Sequence, residues 1–500
     1  MFSKQSRPAP VTEQWLPARR PEWKLAELSD GLMPLMRENG LAVEFLPGLS
    51  TGLWIADASR NPTNAYKVRG ALASAQAAQL EGKRFLVTAS AGNHGAGIAY
   101  AAQLRGMKAR VYVPENAPQV KIQKIEGFGA EIKKAGSTFD ECLAYARRDL
   151  DVQSAKGKFV HPFDDMIVAA GQGTIGIELL ERAKTLALAT ETDVVRVFLP
   201  IGGGGLMAGV ASAMKTRWSD DLPKLEIVGV IDESAPASLL ATLFGRPVRV
   251  LPNTIADGTK VALVGETFLS VSPLVDRLIL VPHDAIVSAM RRYEVQTLSR
   301  VEGAGALALA GEELARSHSL FADPKPPISF AVVTGRNVDA TTYHDTVTAT
   351  PRLNLDSHLR QGFDVRVEER QGELLHFLKT VQGYNIASLT YKQRPGTRAG
   401  HLLAEFEVET KAVAPLHDAL MERFPGSRLQ KPGEHMLYDV GRPVAQKYKE
   451  ELITLDDKPG AFLRCVEELT QQGRFGSVGF LFYRKPPLEG AFAQVVIGRY

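Results

Sequence analysis

Cysteine is scarce in this chain, with Cys142 and Cys465 the two such residues in 500. Thiols so few and so far apart exclude a disulfide-stapled scaffold and a thiolate zinc site, and predict a reduced, intracellular protein with two buried thiols and no bound metal. Long apolar runs are missing too. No stretch approaches the roughly 18–20 residues that a membrane-spanning helix needs, and residues 1–20 hold Pro, Gln and Glu where a secretory signal has its apolar centre. Charge of one sign is also lacking. The 59 basic and 56 acidic residues leave a net +3, which provides no basic stripe for a nucleic-acid backbone. A cytoplasmic protein acting on a small molecule is expected, with neither nucleic acid nor membrane as partner.

What is present is length and alternation. Five hundred residues predict two to four domains, and short apolar runs at 85–88, 109–113, 194–199, 225–231, 278–281 and 329–333 alternate with helical periods. Continuous apolar runs of this kind are strands covered on both faces, so residues 41–345 read as an α/β unit with a parallel sheet. Residues 1–40 show little periodicity and read as a surface-bound extension. After a linker at 346–362 the order changes to strand, helix, strand, strand, helix over 363–440. A weaker copy over 441–500 stops at its third strand, either borrowing the missing elements or truncated.

Four consecutive glycines, Gly202, Gly203, Gly204 and Gly205, follow the run 194–199 and lead through Leu206 into a helical stretch. One or two glycines satisfy a plain turn, and each extra one costs roughly 0.5–1 kcal/mol of chain entropy. Bare backbone N–H groups at a helix N-terminus are instead suited to an anion such as a phosphate.

Two further segments bear chemistry. Lys67, in Ala65-Tyr66-Lys67-Val68-Arg69-Gly70-Ala71, is delivered by a turn-rich segment to a helix start, where a cation opposes the dipole. That position is tolerable when the amine is neutral or condensed as a Schiff base; the alternative is one solvated lysine among 59 basic residues. Ser90-Ala91-Gly92-Asn93-His94 follows the run 85–88 and opens another helix, offering N–H groups, a hydroxyl, an amide and a ring to a carboxylate. Here the alternative is that Ser90 or Asn93 merely caps the helix.

In this order, the lysine segment, the Ser-Ala-Gly-Asn-His-Gly loop and the glycine run resemble the pyridoxal-phosphate enzymes of fold type II, the tryptophan-synthase-β type, and among them the biosynthetic threonine dehydratases. The resemblance extends over Gly127-Phe128-Gly129-Ala130-Glu131, Ala170-Gly171-Gln172-Gly173-Thr174 and Glu302-Gly303-Ala304-Gly305-Ala306. It implies two open, mainly parallel α/β subdomains with pyridoxal 5'-phosphate between them, followed by an α+β, ACT-like regulatory region, whose second copy carries Pro459-Gly460-Ala461-Phe462. Lys67 would hold the cofactor and act as the catalytic base. Gly202–Gly205 and Leu206 would bind its phosphate, Asn93 its phenolic oxygen and Thr334 its ring nitrogen. Ser90, Ala91, Gly92, Asn93 and His94 would line the substrate carboxylate site. The implied reaction converts L-threonine, and L-serine, to 2-oxobutanoate or pyruvate and ammonia, in a homo-oligomer with an amino-acid effector at the repeats.

Tyr66, Arg336 and Asp57-Ala58-Ser59-Arg60 depart from the family pattern and leave the substrate open, 2,3-diaminopropionate included. Arg336 reads as a solvated arginine or a partner for an acidic substrate. A nicotinamide dehydrogenase is a rival, since Gly203-x-Gly205-x-x-Ala208 fits a relaxed dinucleotide fingerprint and Asp232 ends the run at 225–231. A non-catalytic amino-acid sensor is the third reading.

Overall fold

The computed structural model describes residues 21–154, 156–321, 323–349, 359–368, 373–393, 399–408, 410–430, 437–439, 449–455, 461–472, 478–484 and 493–499. Among the described residues up to 345 there are ten strands: β1 Glu44–Pro47, β2 Leu53–Asp57, β3 Phe85–Ala89, β4 Lys108–Val113, β5 Glu131–Lys134, β6 Gly157–Phe159, β7 Val194–Pro200, β8 Lys224–Asp232, β9 Arg277–Val281 and β10 Ile328–Val333. They form two sheets. The smaller has the order β5-β4-β3-β6 and is parallel throughout. In the larger, β2-β10-β7-β8-β9 is parallel, and β1 covers one edge antiparallel to β2. Every residue of β10 is buried, as is all of β8 beyond Lys224, which is why these strands read as unbroken apolar runs.

Residues 21–38 differ from the surface-bound extension expected of 1–40. They form the helix Pro21–Glu38, whose Leu25, Leu28, Leu32, Leu35 and Met36 are buried against the helices Met166–Ala189 and Gly205–Lys215. These apolar residues recur with the helical period, and the prolines around them obscure it. Ser29 Oγ fastens the helix by donating to Ala170 O at 3.0 Å. Residues 1–20 lie outside the described residues, as do 351–358 of the expected linker.

The C-terminal region contributes β11 Leu359–Glu368, β12 Asn385–Gln393, β13 Ala399–Val408, β14 Arg428–Leu429, β15 Leu437–Asp439, β16 Lys449–Leu455, β17 Val478–Arg484 and β18 Ala493–Arg499. Seven of these make one antiparallel sheet, β14-β11-β13-β12-β17-β18-β16. The first copy is a full βαββαβ unit, its last strand only two residues long. Among the described residues the second copy has three strands and one helix, Ala461–Gln471. It shares a core with the first: Phe363, Phe377 and Phe406 pack in one cluster with Phe462, Val466 and Leu481, and β17 pairs with β12. Pro459 and Gly460 lie outside the described residues. β15 stands apart from this sheet and pairs with the edge of β9 in the larger sheet of the first 345 residues.

Candidate active site

Lys67 stands at the N-cap of the helix Val68–Leu80, with no side-chain cap at that end. The turn that delivers it is tied internally, since Asn61 Nδ2 donates to the carbonyls of Ala58 and Ala65 at 3.2 and 3.1 Å. It is also stitched to the loop after β10 by the Ala65–Gly335 bridge and by Tyr66 N–H donating to Thr334 O at 3.0 Å. Two segments some 270 residues apart in sequence therefore meet. Lys67 Nζ donates to Tyr66 Oη at 3.1 Å and lies 5.0 Å from the centre of that ring.

The loop after β3 does not cap its helix through a side chain. Gly92 is the N-cap of Asn93–Leu104 with no side-chain bond, and Ser90 Oγ accepts from Gly92 N–H at 3.2 Å. Asn93 points away into the cleft. Its Nδ2 donates to Glu302 Oε1 at 2.7 Å and its Oδ1 accepts from Asn337 Nδ2 at 2.7 Å.

The four glycines join β7 to the helix Gly205–Lys215, with Gly204 in the left-handed region at φ 91°. Close packing demands them as well. A Cβ on Gly203 would stand 2.1 Å from Phe163 Cγ, one on Gly204 2.3 Å from Phe268 Cβ, and one on Gly202 2.8 Å from Thr259 Cα. The N–H groups at the start of this helix open into a narrow slot.

Lys67, Asn93, Gly202, Gly203, Gly204, Gly205, Leu206 and Thr334 all line that slot. Lys67, Ser90, Ala91, Gly92, Asn93 and His94 line the adjoining cavity of about 830 Å³. Lys67 and Asn93 are thus shared by both. Sequence reading assigned no role to Phe163, Thr259, Glu302 or Lys124, which also line these spaces. For Glu302 a signal existed, the Glu-Gly-Ala-Gly-Ala stretch that opens the helix Gly303–Ser317. Thr334 is buried, and its Oγ1 donates to Ala304 O at 3.2 Å.

Burial governs the titrating groups. It holds the His94 ring well below the usual histidine range, with the nearby Lys67 and His161 adding to the effect. His161, beside Phe163, is pushed down to about 4, chiefly by burial, with Arg147 and Lys67 lowering it further against the pull of Asp164. Burial raises the Glu302 carboxyl, against the bond from Asn93, and lowers Lys124, against the attraction of Glu302.

Comparison with known proteins gives this arrangement its family. The model of the pyridoxal-phosphate dependent enzyme family matches residues 29–325. This chain belongs to that family. Over 513 residues the enzyme is 30% identical to a mitochondrial threonine dehydratase of Schizosaccharomyces pombe, covering 97% of this chain and 79% of that protein. Its fold matches the processed threonine deaminase isoform 2 of Solanum lycopersicum with a TM-score of 0.57 and 29% identity, covering 70% of this chain and 98% of that one. Maize serine racemase matches with a TM-score of 0.55 and 28% identity, covering 65% and 97%.

The residues of this pyridoxal-phosphate enzyme fit its cofactor. A lysine amine opens onto a slot floored by glycines that admit no Cβ, with a helix N-terminus for a phosphate and an amide and a hydroxyl for the ring. The dinucleotide reading fails on Asp232. That buried carboxylate accepts from Ser234 N–H in its own turn at 2.8 Å and from Thr254 Oγ1, so both its oxygens are engaged within the protein. Arg336 is absent from the lining of both spaces.

Proposed function

We propose that this enzyme carries out β-elimination on L-threonine, and on L-serine, giving 2-oxobutanoate or pyruvate and ammonia. The observation that carries the reading is the convergence of Lys67, Asn93, the glycine run and Thr334 on one slot, with the Ser90–His94 loop facing the adjoining cavity. Bound pyridoxal phosphate supplies an electron-withdrawing ring system that acidifies the α-C–H of an amino acid joined to it.

Lys67 holds the cofactor and, once freed by substrate, takes the α-proton on Nζ. Backbone N–H groups of the glycine run hold the phosphate, Asn93 the phenolic oxygen, and the loop from Ser90 to His94 the substrate carboxylate. Thr334 offers the ring nitrogen a neutral hydroxyl, so the ring is a weaker electron sink than one facing a carboxylate, which favours prompt loss of the β-hydroxyl. Ala91 argues against racemisation, because a methyl group cannot return a proton to the opposite face. The released enamine tautomerises and is hydrolysed.

An amino-acid effector at the C-terminal sheet, a homo-oligomeric state and a cytoplasmic location belong to the same proposal. Its support is the paired βαβ copies and, among the described residues, the absence of any helix long and apolar enough to cross a membrane.

The test is keto-acid release from threonine, serine, allothreonine and 2,3-diaminopropionate, alongside the visible absorbance of the purified protein. A yellow band bleached by borohydride and absent from Lys67→Ala, with threonine the best substrate, is expected. A colourless protein, or preference for the diamino acid, overturns the reading.

A further inference from the structure

Lys124 lies on the helix Gln119–Gly127, which packs beside the smaller sheet and whose side chain reaches the cleft. Its Nζ donates to Thr63 O at 3.0 Å and to Asn337 Oδ1. Asn337, in the loop after β10, donates through Nδ2 to Thr63 O at 2.8 Å and to Asn93 Oδ1 at 2.7 Å. Asn93 Nδ2 in turn donates to Glu302 Oε1 at 2.7 Å. The chain of bonds therefore runs one way, from Lys124 through two amides to Glu302. Space for it is reserved: a Cβ on Gly335 would lie 2.0 Å from Glu302 Oε1 and 3.2 Å from Asn93 Nδ2.

The direction is forced by chemistry. An ammonium has donors and no acceptor, so the atom of Asn337 that meets Lys124 has to be its oxygen. The nitrogen of Asn337 then faces Asn93, which has to answer with its own oxygen. That leaves the Asn93 nitrogen turned to Glu302 and the slot, with one N–H on the carboxylate and its second N–H free. A carboxylate at the far end asks for the same polarity while it is ionised, whereas a protonated one donates equally well. Lys124 removes that ambiguity together with the Thr63 carbonyl it bonds, an acceptor only that takes the Asn337 Nδ2–H, because that end of the chain has no other sense.

We propose that Lys124 is a positioning residue that fixes the Asn93 amide with N–H, not carbonyl, toward the phenolic oxygen of the cofactor, and that ties the smaller subdomain across the cleft in doing so. The inference rests on the reading of the site given above. A flipped Asn93 would set its carbonyl against both the Glu302 carboxylate and the cofactor oxygen, weakening the cofactor's hold and altering its spectrum.

The test dialyses the holoenzyme against graded pyridoxal phosphate and reads bound cofactor from the visible band, for wild type, Lys124→Met, Lys124→Arg and Asn337→Asp. Loss of one charge-assisted bond predicts about 10- to 100-fold weaker retention for Lys124→Met. A shifted band is expected with it, as is a kcat that falls more than KM rises. Lys124→Arg should restore the band and retention to within about threefold. Asn337→Asp, which cannot donate to Asn93, should repeat the Lys124→Met loss and carries the test if that variant does not fold. Wild-type retention and spectrum in Lys124→Met or Asn337→Asp would overturn the inference. So would a loss that Lys124→Arg does not rescue. A wild type with no borohydride-sensitive band would instead overturn the reading of the site itself.

Discussion

Gly204→Ala separates the two demands placed on the glycine run. At φ 91° a non-glycine residue pays for a left-handed backbone, about 1–2 kcal/mol. The added methyl would also stand 2.3 Å from Phe268 Cβ and 2.5 Å from its Cγ, and relieving such overpacking costs typically 1–3 kcal/mol. Together these give a destabilisation of about 2–5 kcal/mol. Gly203→Ala meets the Phe163 ring at 2.1 Å but carries no left-handed φ. Only the packing part, about 1–3 kcal/mol, applies to it. Denaturant unfolding of the two variants, each also built on Phe268→Gly, which removes Cβ together with the ring, reads the difference. With Phe268 trimmed, the cost of Gly204→Ala should shrink to its backbone part, a coupling of about 1–3 kcal/mol, while Gly203→Ala should be unchanged. Equal costs for Gly204→Ala in both backgrounds would refute the packing argument, and a loss below about 0.5 kcal/mol would refute both parts.

Two other perturbations follow from buried charge. His161 is held neutral down to about 4, against about 6.5 in an unfolded chain, so between these values the unfolded state binds the extra proton. Stability should therefore fall with pH from about 6.5 to 4, by about 3 kcal/mol at full burial. His161→Asn, which keeps an acceptor for the Asp164 N–H that now bonds Nδ1 at 2.9 Å, should flatten this part of a melting profile taken at pH 4 to 7.5; an unaltered profile would count against it. Arg69 is buried and donates to Glu178 Oε1 at 2.6 Å and to Thr174 Oγ1 at 2.9 Å. Arg69→Met should cost about 3–5 kcal/mol by stranding the carboxylate, and Arg69→Met with Glu178→Met should recover most of it; a double variant as unstable as the single one contradicts this.

The site was legible in sequence wherever its chemistry is carried by one short segment. The glycine run, the loop at Ser90–His94 and the turn before Lys67 each follow a recognisable pattern and open a helix, and the structure brings all three to one cleft. What escaped is what acts between segments. Glu302 and Asn337 meet Asn93, and Lys124 meets Asn337, from elements up to 244 positions apart along the chain, and no local pattern announces such a meeting. The glycines read in sequence as an anion cradle, yet the Phe163 and Phe268 side chains require two of them independently, a reason invisible without the partner rings. In the fold, strands buried on both faces were found by their apolar runs. β14, two exposed residues long, and β15, whose three residues join a sheet begun in another region, carry no periodicity to find.

The electrostatics of the cleft explain why small residues do so much of its binding. A phosphate and an α-carboxylate both need countercharge, and His94 and His161 stand nearby. Burial keeps both rings neutral at pH 7, so neither can supply it. Glu302 adds negative charge to the slot when ionised, and Lys124 is turned toward Asn337 and Thr63. Beside the lysines that line the cleft, backbone contributes: the N–H groups at the starts of the helices Gly205–Lys215 and Asn93–Leu104, whose dipoles favour anions and do not titrate. Those groups are reachable only where no side chain intervenes, which gives Gly202 to Gly205 at the proposed phosphate site and Ala91 and Gly92 at the proposed carboxylate site a common reason.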